Sequence, residues 1–162
     1  QSMTGLVLPM IKAGVRLGLS KDFTNVEWYG RGPHEAYIDR KTGQKVGKYT
    51  ATPETLEHRY MRPQENGNRT DTRSLTITND QGYGFEISAD KTFDFSLREY
   101  SQEKLESAKH LYELVKDDYL TLNIDHRQRG VGGDMPGNAC LHEPYKLKVG
   151  TYAYSVKIKG VK

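Results

Sequence analysis

The fold class of this chain of 162 residues is decided by the stretch SLTITNDQGYGFEIS, which runs from Ser74 to Ser88. Leu75 and Ile77 alternate with polar residues before the turn-forming NDQG segment. Phe85 and Ile87 repeat the alternation after it. A period of two places alternate side chains on one face of a β-strand. The stretch therefore predicts an antiparallel β-hairpin.

The same alternation recurs along the chain and predicts a mainly β protein. Further strands are expected around residues 15–19, 26–29, 93–97 and 120–124. A second hairpin is expected at the end, where residues 145–149 and 152–158 alternate on either side of a Gly-Thr pair. An antiparallel β-sandwich would bury such strands. The length suits a single domain over residues 1–162.

One helix is expected to interrupt the strands. Ser101 suits an N-cap, because its side chain can accept a hydrogen bond from the first helical turn. Leu105, Ala108, Tyr112 and Val115 then follow at spacings of three and four, which predicts one apolar stripe.

Composition excludes several classes of protein. A net charge of +3, from 24 basic and 21 acidic residues, is too balanced for an electrostatic case for nucleic-acid binding. No apolar run approaches the length of a membrane span, and the first residues, Gln1–Thr4, lack the pattern of a signal peptide. The lone Cys140 cannot form an internal disulfide and is expected to be packed or partly buried.

Two polar segments could carry chemistry. WYGRGPHEAYIDR, from Trp28 to Arg40, mixes aromatic, acidic and basic residues with a histidine, as an active site or a demanding turn would. PQENGNRTDTR, from Pro63 to Arg73, holds the strong turn signal Asn66-Gly67. The acids and arginines of this segment are Glu65, Arg69, Asp71 and Arg73. The structural interpretation is that they form buried carboxylate–arginine pairs.

A glycine-rich loop, Gly130–Asp134, follows the strand predicted around residues 120–124. No helix pattern comes after it, so it lacks the helix N-terminus that a phosphate-binding loop uses. The neighbouring polar residues, which include His126 and Arg129, could bind the hydroxyl groups of a sugar. They could equally satisfy one another across the turn, which is the simpler interpretation.

Four blocks resemble one family in order and spacing. WYGRGPHEAYIDRKTG, from Trp28 to Gly43, resembles the W-x-G-x-G-P-x-E-x-Y-x-D-R segment of the large bacterial β-galactosidases of glycoside hydrolase family 2. PQENGNRTDTR is similar to their P-x-E-N-G-x-R-x-x-x-R segment. The predicted helix, followed by LNIDHRQRGVGGD from Leu122 to Asp134, resembles a later L-N-x-D…G-x-G-G-D segment.

The resemblance implies the C-terminal portion of the final, small-chain domain, an antiparallel β-sandwich of the galactose-mutarotase-like (supersandwich) type with one short helix. It implies that Trp28 and Tyr37 pack, that the glycines and proline set a turn, and that the charged residues tie this turn to the sandwich or to another domain. The motif residues expected to be structural are Trp28, Gly30, Gly32, Pro33, Glu35, Tyr37, Asp39, Arg40, Glu65, Asn66, Gly67, Arg69 and Arg73.

The resemblance also implies what the chain lacks. The family cleaves terminal β-D-galactosides with retention, using two glutamates in a (β/α)₈ barrel that these strands cannot form. No catalytic residue, metal or cofactor is expected here; Mg²⁺ and a monovalent cation would belong to the parent enzyme. Expected partners are a β-galactoside and the other domains, and an uncovered sheet edge would favour a homo-oligomer. The resemblance implies a bacterial protein and leaves cytoplasm and periplasm open.

One loop of this domain reaches the substrate in the family, where a tryptophan soon after G-x-G-G-D stacks on the sugar. Gly137 stands at that position here, so the stacking role does not carry over. The residues expected nearest the substrate are His126, Arg129, Asp134, Gly137 and Asn138. Two alternatives are a free-standing carbohydrate-binding module and a mutarotase-like domain with a His acid and a Glu base.

Overall fold

A computed structural model describes residues 10–134 and 140–162. Within them lie seven strands: β1 (Lys12–Ser20), β2 (Asn25–Gly32), β3 (Lys45–Ala51), β4 (Arg69–Thr78), β5 (Gly84–Arg98), β6 (Tyr119–Gln128) and β7 (Val156–Val161). Two short α-helices, α1 (Pro53–Leu56) and α2 (Gln102–Ser107), and two 3₁₀ turns, Leu111–Glu113 and Glu143–Tyr145, connect them.

The strands form an antiparallel sheet in the order β1-β6-β5-β4-β2-β3, with β7 also paired to β5. Strand β5 is central: β4 runs along one edge, while the other edge pairs with β7 over Gly84–Ala89 and with β6 over Asp94–Arg98. The mainly antiparallel β architecture with short helices, consistent with a β-sandwich, is confirmed.

One face of this sheet carries the apolar core. Trp28 on β2 belongs to this core, with its ring centroid 5.4 Å from that of Tyr49 and 5.9 Å from that of Phe95. The other buried members come mainly from β4, β5 and β6: Leu75, Ile77, Ile87, Phe93, Leu97, Leu120, Leu122 and Ile124. Burial of each such side chain stabilises the fold by about 1.5–3 kcal/mol. The alternation read from the sequence is the inward face of these strands.

Two strand predictions need correction. The strand expected at residues 93–97 is not separate, because Phe93–Leu97 is the second half of β5. The C-terminal hairpin is wrong: β7 pairs with β5 and not with residues 145–149, which are not a strand. Leu147 is buried and makes an isolated bridge with Met10. In this stretch the alternation predicted neither burial, since Val149 and Ile158 are 62% and 54% exposed, nor the partner strand.

The helix prediction holds only for its first half. Ser101 caps α2 by accepting a hydrogen bond from the Lys104 amide, but the helix ends at Ser107, because Ala108 adopts an extended conformation. A separate 3₁₀ turn follows, and Tyr112 and Val115 are 80% and 64% exposed. The expectation for Cys140 is also wrong, since its side chain is exposed.

Candidate functional site

The Gly130–Asp134 loop is held by a carboxylate that lies far from it in sequence. Asp39 Oδ2 accepts hydrogen bonds from the main-chain amides of Val131, at 3.0 Å, and Gly132, at 2.7 Å. A Cβ atom at position 130 would lie 2.6 Å from Asp39 Cγ, so a side chain there would have to displace the carboxylate that holds the loop. At the end of the loop, His142 Nε2 lies 2.8 Å from Asp134 Oδ1.

Glu35 joins the other two motif segments. Its carboxylate accepts a hydrogen bond from the Gly67 amide at 2.8 Å and contacts both Arg40 and the Tyr60 hydroxyl. The Ala36 amide donates a hydrogen bond to the main-chain carbonyl of Asn68 at 2.8 Å. The Asn68 side chain donates in return to the Ala36 carbonyl, also at 2.8 Å. The 28–40 and 63–73 segments therefore form one hydrogen-bonded unit.

The glycines of the 28–40 segment do not form the expected turn. Gly30 and Gly32 are part of β2, and Pro33 follows the strand through a cis peptide bond. A Cβ atom on Gly30 would lie 2.9 Å from the Thr72 Cα on β4, so its role is a close approach of two strands. Tyr37 is buried, and burial raises the pKa of its hydroxyl far above the ordinary value.

The carboxylate–arginine pairing within residues 63–73 is wrong in its partners. Asp71 bonds Arg31 at 2.5 Å and Lys41 at 2.9 Å, while Arg73 is exposed and stacks over Tyr29. Arg69 is buried without a carboxylate partner among the described residues and donates to the Gly67 carbonyl at 2.9 Å. Burial lowers the pKa of Arg69 to about 10. Its guanidinium also lies over the Trp28 ring, 5.4 Å from the centroid.

A buried ion pair instead joins Glu65 to Arg98 at 2.5 Å, with Lys12 as a second partner of Glu65 at 3.1 Å. Arg98 is 1% exposed and also donates to the Asn66 carbonyl at 2.7 Å and to Gln102 at 3.1 Å. Burial alone would raise the pKa of Glu65, but the charges of Arg98 and Lys12 outweigh it and leave that pKa below its ordinary value.

The predicted substrate-proximal residues do not share one pocket. His126 stacks on Tyr154, with centroids 5.5 Å apart, and lines a pocket of about 420 Å³ with Phe93. Arg129 lines a different pocket of about 450 Å³, and Asp134 lines a third of about 410 Å³. Gly137 and Asn138 lie outside the described residues.

Comparison with known proteins identifies the family. The model of the β-galactosidase small-chain family matches residues 2–158. The chain belongs to the β-galactosidase small-chain family. This confirms the resemblance of the sequence blocks to the small-chain domain of bacterial β-galactosidases.

Curated relatives of this small-chain sequence are β-galactosidases. It is 42% identical to one from Priestia megaterium over 83% of this chain, and 39% identical to one from Vibrio cholerae over 93%. A β-galactosidase of Pseudoalteromonas haloplanktis is 37% identical over 94%. The matched region is 13–14% of the length of each of these relatives, so the chain corresponds to a small part of them.

Sequence reasoning missed Lys12 and Arg98, the two residues that pair with Glu65. The available signal was a polar alternation on β5, where Asp94, Ser96 and Arg98 face away from the apolar core and are nevertheless buried. Among residues 10–134 and 140–162, no group of three His, Cys, Asp or Glu could hold a metal ion, and no helix has the length and apolar character of a membrane span.

Two carboxyls of the small-chain sheet have raised pKa values. Asp94 on β5 lies opposite Asp125 on β6 in the strand register. Burial raises the pKa of Asp94 to about 7, and the charge of Asp125 adds to this effect. Burial likewise raises the pKa of Asp125 to about 6, although the charge of Lys12 opposes it. At pH values between the ordinary carboxyl pKa and these raised values, the folded state therefore keeps protons that the unfolded chain releases.

Asp94→Asn should flatten the pH dependence of stability. In the parent chain, stability should fall as pH rises from about 5 to about 8, because the folded state loses protons that favour it. The difference in free energy of unfolding between variant and parent should shift in favour of the variant by at least ~1 kcal/mol between the lower and the higher pH. Urea unfolding at both pH values measures this difference. Asp118→Asn, at an exposed site, is the control and should follow the parent; an identical curve for Asp94→Asn would contradict the prediction.

Proposed function

We propose that this chain is the non-catalytic small-chain portion of a β-galactosidase that hydrolyses terminal β-D-galactosides with retention. In this proposal it supplies carbohydrate contacts and packs against other domains, which provide the catalytic glutamates. The relatives named β-galactosidase, of which it matches 13–14%, support the assignment. The observation that carries the substrate role is the anchoring of the Gly130–Asp134 loop by Asp39.

The anchored loop has the features of a wall of a ligand cleft. It borders a pocket of about 410 Å³ whose lining includes Asp39, Arg40, Asp134 and His142. Such a volume and a few convergent polar groups are typical of small-molecule sites. Two main-chain amides fixed on one carboxylate give the loop a defined position, which productive substrate orientation requires.

Asp39→Asn in the complete polypeptide tests this role. Asparagine preserves the shape but replaces two charge-assisted hydrogen bonds with at best neutral ones, which loosens the loop. We expect kcat/KM on a nitrophenyl β-galactoside to fall about tenfold, a loss of ~1.4 kcal/mol, with thermal stability reduced far less.

Asp22→Asn is the matched control, since Asp22 is exposed and bonds only with Ser20 among the described side chains; its kinetics should equal those of the parent. This chain alone serves as the blank of the assay. Unchanged kinetics for Asp39→Asn would exclude the loop from the substrate site. Turnover by the isolated chain would contradict the non-catalytic assignment.

The stacked rings of His126 and Tyr154 favour a second candidate, a sugar-binding module that acts without hydrolysis. Aromatic faces beside a pocket, with Asp90 and Ser155 at its rim, suit a pyranose ring. The chain matches 13–14% of the length of each of three β-galactosidases, and this favours the first candidate. Galactose binding by a complete polypeptide that lacks galactosidase activity would reverse this preference.

A further inference from the structure

A second pocket lies beside the Asp39-anchored loop. Its volume is about 450 Å³, and its lining includes Gln64, Glu65, Gln102 and Gln128. Val131 and Gly132 line both this pocket and the one that contains Asp39, so the loop is a shared wall. Asp39 borders only one pocket and Gln128 only the other, which makes them separate positions for a ligand.

Gln128 carries the inference. Its side chain is 1% exposed, yet within the described part of the chain neither its amide nitrogen nor its amide oxygen makes a hydrogen bond. The amide helps to lower the pKa of the neighbouring Glu65 carboxyl, but it lies outside ordinary hydrogen-bond geometry. A buried polar group without a partner costs about 1–3 kcal/mol. Because Gln128 lines the pocket, a ligand bound there can supply the missing donor and acceptor.

The charges around the pocket favour a neutral ligand. The charged residues that line it are Glu65, Glu106 and Arg129, and Glu65 is already paired with Arg98 and Lys12. A cation would meet the charge of Arg129 and an anion would meet that of Glu106, so neither sign of charge is favoured. A hydroxyl group can donate a hydrogen bond to the amide oxygen of Gln128, and a hydroxyl oxygen can accept one from its amide nitrogen. Hydroxyl groups can therefore satisfy both polar atoms of this side chain.

We propose that the Gln128 pocket binds a neutral polyhydroxylated ligand of monosaccharide size, whose hydroxyls pair with the Gln128 amide and the Glu65 carboxylate. This assignment goes beyond the proposed function, because it requires no hydrolysis and no contact with the Asp39 pocket.

Equilibrium dialysis of labelled D-galactose against the complete polypeptide tests the proposal. Gln128→Leu keeps a similar volume and removes both polar atoms. We expect the variant to lose one equivalent of bound galactose per chain, or to bind it at least about tenfold more weakly, with kcat unchanged. Gln81→Leu, at an exposed turn, makes the same chemical change elsewhere and should bind as the parent does.

The stoichiometry separates this proposal from the proposed function. If the complete polypeptide is an active β-galactosidase, it should bind two equivalents of galactose and Gln128→Leu should bind one. If it has no galactosidase site, it should bind one equivalent and the variant should bind none. Equal binding by the parent and Gln128→Leu would overturn the inference.

A crystal structure with D-galactose is the second measurement and does not depend on how the variant folds. A sugar hydroxyl within hydrogen-bond distance of the Gln128 amide supports the proposal. A pocket filled by ordered water alone, or by another segment of the polypeptide, overturns it. Calorimetry of Gln128→Leu adds a further check: a partner-free amide predicts an unchanged or raised melting temperature, and a large fall would mean that Gln128 has a structural partner.

Discussion

Arg98→Met should lower the free energy of unfolding by about 3–5 kcal/mol, because it leaves part of a buried ion pair uncompensated. Arg98 is almost fully buried, and its guanidinium serves Glu65, the Asn66 carbonyl and Gln102 at once. Without it, Glu65 keeps Lys12 as its one charged partner among the described residues, and the Asn66 carbonyl loses the hydrogen bonds that Arg98 donates. Methionine can fill the space but satisfies none of these groups.

Urea unfolding of Arg98→Met and of the control Arg16→Met measures the effect. The control removes an ion pair of 2.7 Å between Arg16 and Glu103, whose side chains are 46% and 71% exposed. Exposed pairs contribute up to about 1 kcal/mol, so this variant should stay close to the parent. Similar losses in the two variants would contradict the burial argument. Glu65→Gln completes a double-mutant cycle, in which the double variant should lose less than the sum of the single losses.

Trp28→Ala should also destabilise the chain by about 3–5 kcal/mol, through a large cavity in the core. The indole packs against Tyr49 and Phe95, lies under Arg69, and donates from Nε1 to the Arg31 carbonyl at 2.9 Å. Its removal therefore also leaves that carbonyl without this donor. Small shifts of its neighbours cannot fill the space left by so large a side chain in a close-packed core.

Trp28→Phe separates packing from hydrogen bonding. It keeps much of the ring and loses the Nε1 donor, so its loss should lie well below that of Trp28→Ala. Tyr112→Ala, at a side chain that is 80% exposed, is the control and should change stability by at most ~0.5 kcal/mol. Guanidinium unfolding provides the measurement. A loss below ~1 kcal/mol for Trp28→Ala would show that the core does not depend on this ring.

Strands with a full apolar face could be predicted from the sequence, and strands without one could not. The hairpin of β4 and β5 was found because Leu75, Ile77 and Ile87 are all buried on one side. Strand β3 was missed because its half-buried positions are Gly47, Tyr49 and Ala51, which do not form an apolar alternation. Its place beside β2 comes from main-chain pairing, which leaves no mark in side-chain pattern.

The same limit applies to the candidate site. The motif segments drew attention to Asp39 and to the glycine-rich loop, but their contact joins residues that are 92 and 93 positions apart. Glu65 pairs with residues of β5 and β1, and Asp71 pairs with Arg31 of β2 and with Lys41, so the nearby arginines in the sequence were the wrong choice. Ion pairs follow proximity in space, which depends on strand order, and a single sequence does not give strand order.

The pairing of β1 with β6 has a consequence for synthesis. Lys12 aligns with Gln128 and Ser20 with Tyr119, so the first described strand leaves the ribosome long before its neighbour in the sheet. Until Tyr119–Gln128 has been made, Leu17 and Leu19 lack the strand that pairs with β1 within the described part of the chain, although they pack against the finished core. Contacts this distant in sequence slow folding. During translation, β1 can therefore pair with β6 only after β6 has been synthesised, and this pairing then adds β1 to the sheet.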